Sequence, residues 1–223
     1  MKKLFFAAVV ILPLLSVSCS KSSSSNGYSS VKAVDIGLSV KWSDRNLGAS
    51  SVGDLGDYYA WGETTTKATF TVENYKWVKN GMYQYYGIEE EGSPAFLRPE
   101  DDAARVRLGK NWRMPTKENI QELVSTYTNP NYQWTWTRVG GHMGFEIKYL
   151  QNGNSIFLPA SGLVDNATYR YVEAYGYYLS DELVMDADFL SYIYGLNMEQ
   201  QHGPGLYRTL RRTEGNSIRP VAD

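Results

Sequence analysis

Cysteine and histidine are scarce in this chain: Cys19 is the only cysteine, and His142 and His202 are the only histidines. With a single cysteine no disulfide forms within the chain, so a domain that works outside the cell has to be held by packing alone. The two histidines lack the HExxH-type spacing of a zinc site, and neither is accompanied by a nucleophile-elbow pattern. His142 lies in a glycine-rich turn and His202 precedes Gly203-Pro204-Gly205, so both read as loop residues. Excess positive charge is also missing. With 22 basic and 24 acidic residues the formal net charge is −2, which argues against a nucleic-acid partner. The longest apolar run, from Leu4 to Leu15, is shorter than the roughly 20 residues of a membrane-spanning helix, and nothing later is continuously apolar for that length. No repeat of solenoid period is present.

The opening residues do carry a pattern. Lys2 and Lys3, the apolar run, and the small residues Ser16 and Ser18 ahead of Cys19 form the three-part layout of a secretory signal. Cys19 stands where a bacterial lipoprotein carries its diacylated cysteine. Val17 and Ser18 suit a lipobox, whereas Ser16 occupies a position that is usually aliphatic. Residues 1–19 are therefore read as a signal peptide with lipobox and Cys19 as the lipid attachment site. Residues 20–30, nearly all serine, form a flexible tether, and residues 31–223 form a single domain. Ser20 is not the aspartate that retains some lipoproteins at the inner membrane, so an outer-membrane lipoprotein is expected, facing either the periplasm or the cell surface.

Within the domain, Thr116 reads as the N-cap of a helix carrying Ile120, Leu123, Val124 and Tyr127 at helical spacing. A shorter helix is expected from Pro99 to Leu108, with proline and Glu100, Asp101 and Asp102 in its first turn and Gly109 as its stop. Short strands are expected around Val31–Trp42 and Tyr58–Trp61, and then repeatedly from Trp134 to Val221. Gln151-Asn152-Gly153-Asn154 reads as a type I′ hairpin turn between two of them. Strands around two central helices give an α+β domain.

Several phrases occur together and in order: Val34-Asp35-Ile36-Gly37-Leu38-Ser39-Val40-Lys41-Trp42, Gly56-Asp57-Tyr58-Tyr59-Ala60-Trp61-Gly62-Glu63, Trp112-Arg113-Met114-Pro115-Thr116, Gly176-Tyr177-Tyr178-Leu179-Ser180 and Ser217-Ile218-Arg219-Pro220-Val221. From about Val31 onward they resemble the Fibrobacter succinogenes major paralogous domain family of Bacteroidetes envelope proteins and lipoproteins. The resemblance implies a C-type lectin-like fold, related to the formylglycine-generating enzymes, in which two helices flank small twisted antiparallel sheets. The reactive cysteines of those enzymes have no counterpart here, which excludes that chemistry. The segment 184–212 departs from the family pattern and is where specificity is expected.

The 18 tyrosines and 6 tryptophans supply large apolar bodies with a polar edge. Trp42, Trp61 and Trp112 read as core. Trp134 and Trp136 share one face of a strand, which suits either core packing or stacking on a sugar ring. Tyr83, Tyr85 and Tyr86 lie in a polar loop region, and Tyr192 and Tyr194 share a face in the divergent segment; these seven aromatics are the ligand-binding candidates. Asp181, Glu182, Asp186 and Asp188 are weak calcium candidates, since their spacing matches no calcium-loop motif. No catalytic residue and no other cofactor is indicated. The expected function is a non-catalytic, membrane-anchored binding module for a glycan or an envelope or host protein. Alternatives are a structural or assembly component of the envelope and a glycan-processing enzyme using a carboxylate pair.

Overall fold

A computed structural model describes residues 31–87, 95–185 and 192–223. In chain order the elements are β1 (Ala33–Val34), β2 (Lys41–Ser43), β3 (Val78–Lys79), β4 (Met82–Tyr83), α1 (Ala103–Leu108), α2 (Lys117–Ser125), β5 (Tyr132–Val139), β6 (His142–Tyr149), β7 (Ser155–Pro159), β8 (Leu163–Asp165), β9 (Thr168–Arg170), β10 (Tyr175–Leu183), β11 (Tyr192–Glu199), β12 (Gly203–Arg211) and β13 (Val221–Ala222). They form small antiparallel sheets ordered β1-β2-β13, β5-β6-β7 and β10-β11-β12, with two-stranded ribbons β3-β4 and β8-β9.

The expected α+β, C-type lectin-like architecture with two flanking helices is not what forms. Extended residues make up 41% of the described chain and helix 10%, with one long helix, so the fold is β-rich. The reason is local. Asp102, not Pro99, begins α1: its carboxylate accepts the Arg105 N–H at 3.0 Å and the Met114 N–H at 2.9 Å. Asp101 is drawn away to the Tyr86 hydroxyl and the Lys76 ammonium, so no acidic residue lies in the first turn and α1 has only six residues. α2 forms where its cap requires. The Thr116 side chain accepts from the Asn119 N–H while the Asn119 side chain accepts from the Thr116 N–H, a reciprocal capping box.

Two turns show what the chain demands of the backbone. Gly140 and Gly141, both at positive φ, join β5 to β6 in a two-residue loop that only such residues enter easily. The Asn152-Gly153 turn is not type I′, because only Gly153 takes positive φ. Asn152 instead accepts the Asn154 N–H, and both side-chain amides donate to the Asp35 carbonyl, tying the hairpin to the first strands.

The sheet β10-β11-β12 divides the core. Tyr178, Leu196 and Met198 join Ile120 and Leu123 of α2 and Phe145, Ile147, Ile156 and Leu158 in one cluster. Leu179, Leu183, Ile193 and Leu210 join Trp61, Tyr86, Met114 and the α1 alanines in another. Trp42 and Trp61 are fully buried as their phrases suggest, while Trp112 is half-buried.

Between the second cluster and a third one that includes Tyr58, Phe70 and Tyr75 lies a fully buried arginine, Arg212. Its guanidinium carbon stands 5.2 Å from the Trp61 ring, 5.4 Å from Tyr75 and 4.6 Å from Tyr83. It donates to the Tyr75 hydroxyl and the Tyr86 carbonyl, each at 3.1 Å, while its own carbonyl accepts the Trp61 N–H. Tyr75 passes the network back by donating to the Trp61 carbonyl at 2.7 Å. A desolvated cation on an aromatic face contributes about 2 kcal/mol or more, and here three rings share it.

Arg212→Ala is expected to lower the unfolding free energy by about 3 kcal/mol or more, by opening a cavity and stranding buried polar partners. Arg170→Ala breaks only the surface pair with Asp165 and is expected to cost less than about 1 kcal/mol. Urea titration followed by tryptophan fluorescence distinguishes them; equal midpoints would contradict the central role of Arg212.

Candidate functional site

The strand β10 alternates with period two, so Tyr175, Tyr177 and Leu179 share one face while Gly176 and Tyr178 share the other. Tyr178 turns inward and donates to the Pro159 carbonyl at 2.6 Å. A Cβ at Gly176 would meet the Met198 side chain at 2.5 Å, so that inner face is closed. On the outer face the register places Tyr175 beside Glu199 and Gly203, and Tyr177 beside Asn197 and Gly205. Leu179 is covered by core, but the Tyr175 end of the face opens outward.

There a polar groove of about 350 Å³ is lined by Trp136, Glu173, Ala174, Tyr175, Glu199, Gln200 and Gln201. Trp136 comes from β5, Tyr175 from β10, and Glu199 with the two glutamines from the end of β11 and its turn into β12. Glu173 is presented by a tight turn, with its own φ at 70° and its N–H on the Ala160 carbonyl at 2.8 Å.

Both histidines flank this groove. Glu173 takes His142 Nδ1 at 2.7 Å on one oxygen, and the Met143 N–H at 2.9 Å and the Arg138 guanidinium at 3.2 Å on the other. Partial burial pushes its pKa up, but these partners outweigh it and hold the carboxyl below the ordinary range. Glu199 is paired with His202 Nδ1. The groove thus combines two aromatic walls, a carboxylate saturated by donors, a second carboxylate steadied by one histidine, and two amides.

The residues singled out from sequence are dispersed. Trp134 and Trp136 do share a face, each edge-on to Phe145. Trp134 is packed, donating from Nε1 to the Thr126 hydroxyl at 2.9 Å, and only Trp136 reaches the groove. Tyr83, Tyr85 and Tyr86 pack against Arg212, Trp77 and Asp101 rather than facing outward as a set. Tyr83 covers Arg212, Tyr85 stacks on Trp77 at 5.1 Å with Arg98 over its ring, and Tyr86 is fully buried against Asp101. Tyr192 is half-buried opposite Arg211, and Tyr194 carries the Lys117 ammonium 4.7 Å from its ring. Among the acidic candidates, Glu182 is buried and paired with Lys117 at 2.8 Å, and Asp186 and Asp188 lie outside the described residues, as does Cys19. Among the described residues no three or more His, Cys, Asp or Glu side chains converge as metal ligands. No described helix is long and apolar enough to cross a membrane.

Glu173, Tyr175, Glu199, Gln200 and Gln201 were not anticipated. The period-two tyrosines of Tyr175-Gly176-Tyr177-Tyr178 were the one available signal; the turn that aims Glu173 has none. Compared with family models, curated proteins and solved structures, the chain matches none, so the family resemblance rests on its phrases alone.

Asp181 has a separate consequence. Burial, reinforced by the neighbouring Asp102 charge, pushes its carboxyl up to about 7, and its Oδ1 has no hydrogen-bond partner among the described residues. An unfolded aspartate titrates near about 3.9, so between these values the folded chain binds more protons and stability falls as pH rises, levelling off above about 7. Asp102 is also raised, chiefly by burial, and adds a slope of the same sign. Asp181→Asn is expected to flatten the decline between about pH 4 and 7 and to be more stable than the native chain above it. Thermal melts across that range test this, and an unchanged slope would contradict it.

Proposed function

We propose that the protein is a non-catalytic binding module that takes a glycan in the groove between Trp136 and Tyr175 and is held at the outer membrane by lipid on Cys19. The observation that carries this reading is the composition of the groove: aromatic walls beside fixed carboxylates and amides. A sugar ring offers a C–H face and a hydroxyl edge. Aromatic side chains take the face, and a few placed polar groups read the edge. This support comes from the groove's chemistry and owes nothing to the lectin-like architecture that the structure replaces with a β-rich fold.

The carboxylates Glu173 and Glu199 share the groove, which brings a glycosidase into consideration. Such an enzyme needs one carboxyl whose pKa is raised so that it carries the proton to the leaving oxygen. Glu173 is shifted in the opposite direction, with both oxygens already accepting. It is suited to fixing a hydroxyl or orienting its neighbours, and not to donating a proton.

A glycan array probed with the purified protein is expected to return binding without cleavage products. Glu199→Gln keeps the side chain's size and is expected to weaken binding at least tenfold, about 1.4 kcal/mol, with little change in melting temperature. Trp136→Ala is expected to abolish binding, with some loss of stability because the ring also packs on Phe145. Absence of binding to any glycan, together with recovery of a stable protein partner by cross-linking in native envelopes, would favour the assembly role. For the anchor, Cys19→Ser is expected to move the protein from the detergent phase to the aqueous phase in detergent partitioning, since stable anchoring depends on more than one acyl chain. Retention in the detergent phase would refute lipidation at that residue.

A further inference from the structure

Tyr175 belongs to two structures at once. It walls the groove, and it is also the hub of a tyrosine cluster in which Tyr171 is exposed and Tyr175 and Tyr177 are half-buried: its ring centroid lies 5.6 Å from Tyr171 and 5.9 Å from Tyr177, the latter with planes only 7° apart, while Tyr171 and Tyr177 are 6.3 Å from each other. Resting on the glycan reading above, we propose that the groove is one subsite of a longer track across the outer face of β10-β11-β12, and that the ligand is an internal stretch of a neutral linear polysaccharide rather than a terminal sugar.

The face is built as a track. The Tyr175 row runs through Glu199 to Gly203 and the Tyr177 row through Asn197 to Gly205. Gly203 is buried, with the Tyr127 ring 2.6 Å from where a Cβ would lie, whereas half-buried Gly205 presents no side chain of its own on this face. Tyr207, opposite Gly195 and on the same face, folds its ring toward Gly205, where an added Cβ would meet it at 2.7 Å. Tyr207 is 43% exposed and Tyr171 54% exposed. Asn197 hydrogen-bonds the Tyr177 hydroxyl, and burial pushes that phenol up to about 12, so it remains a neutral donor and acceptor.

The backbone supplies a second, independent observation. Tyr171 and Glu173 both take positive φ, 61° and 70°, conformations that cost a bulky L residue free energy and persist only where the surroundings enforce them. Here they are enforced. The Tyr171 carbonyl accepts the N–H groups of Ala174 and Tyr175 at 3.1 and 2.9 Å, and Gly162 packs so closely that a Cβ there would meet the Val172 nitrogen at 2.7 Å. The strained turn places one ring beside the tyrosine cluster and one carboxylate in the groove.

Size and charge select the ligand class. A groove of about 350 Å³ is at the small end of the roughly 300–1,000 Å³ typical of ligand sites, so a ligand filling it and also touching Tyr171 or Tyr207 has to be a chain. Rings alternate with amide, carboxylate and phenol groups, matching the alternating C–H faces and hydroxyl edges of a glycan. Two carboxylates at the groove disfavour an acidic one.

The test is calorimetric titration of the full-length protein in detergent with neutral gluco-, xylo-, manno- and N-acetylglucosamine oligosaccharides, each from the monosaccharide to the octasaccharide. For the series that binds, affinity is expected to rise at least tenfold from disaccharide to hexasaccharide. Tyr171→Gly removes the ring while favouring the same backbone conformation, so it is expected to keep or raise the melting temperature and to collapse the hexasaccharide-to-disaccharide ratio to within twofold. Tyr207→Ala is expected to reduce the same ratio. Affinity independent of length, or a ratio unmoved by both variants, overturns the track and leaves the groove reading standing. Binding of no series overturns both, and capture of a protein by a photo-cross-linker at position 171 in native envelopes assigns the face to a protein instead.

Discussion

A cation with no exposed surface and no disulfide nearby to tolerate loose packing imposes strict conditions on its surroundings, and Arg212 imposes them on half of this fold. Its guanidinium needs ring faces and acceptors from several directions. Trp61 and Tyr75 come from the long N-terminal loops, Tyr83 from β4, and Tyr86 from the segment after it. These stretches have almost no regular structure, yet their rings converge because one buried charge must be surrounded. A second buried arginine, Arg219, does similar work in the other half, donating to the Ser43 and Phe157 carbonyls from among Tyr178 and β2. Burial lowers its pKa to about 10, which still leaves it charged at neutral pH. Aromatic and carbonyl partners around two arginines thus take the place of covalent cross-links.

That arrangement decides where a ligand surface can lie. Arg212 directly follows β12, and the neighbouring end of the sheet is sealed by Leu210, Ile193 and Leu183. The opposite end of the same sheet has no such burden. There the inward side chains Tyr178, Leu196 and Met198 complete the first core cluster, and the outward ones are free to be Tyr175, Tyr177, Asn197 and Glu199. One face of three strands is therefore core at one end and groove wall at the other, and the rigidity of the first supports the geometry of the second.

Legibility in the sequence followed the range of the forces involved. The α2 cap at Thr116 depends on a contact three residues away and was legible, as was the shared face of Trp134 and Trp136. The extent of α1 was not, because Asp101 and Asp102 are claimed by Tyr86, Lys76 and Met114, partners invisible to a local pattern. The same holds for Tyr83, Tyr85 and Tyr86, which look like a polar loop until Arg212 beneath Tyr83 and Arg98 above Tyr85 are known. The lectin-like fold expected from the phrases failed at this level too: the phrases locate buried tryptophans and turns, whereas the architecture depends on how short strands pair. The groove was half legible. Tyrosines two apart on β10 announce a common face, but Glu173 depends on a strained turn and Glu199 on register with Gly203.

The β12 edge of the sheet is protected by its own sequence. Of the two edges of the β10-β11-β12 sheet, the β10 side is closed by bridges from Gly162 to Gly176, Ser217 to Tyr178 and Phe96 to Glu182. The β12 side begins Gly203-Pro204-Gly205, with Pro204 paired to Met198. Proline removes a ladder donor and glycine weakens strand order, both of which discourage a foreign strand from adding to the sheet. Gly205 also leaves the face beside Asn197 without a side chain of its own, while Gly203, beside Glu199, is buried against the Tyr127 ring. On the proposed glycan reading, sequence that guards the edge against another polypeptide also keeps part of the face clear for a ligand read through rings and hydroxyls. For a tyrosine-rich surface, that separation favours recognition through side chains over recognition through the backbone.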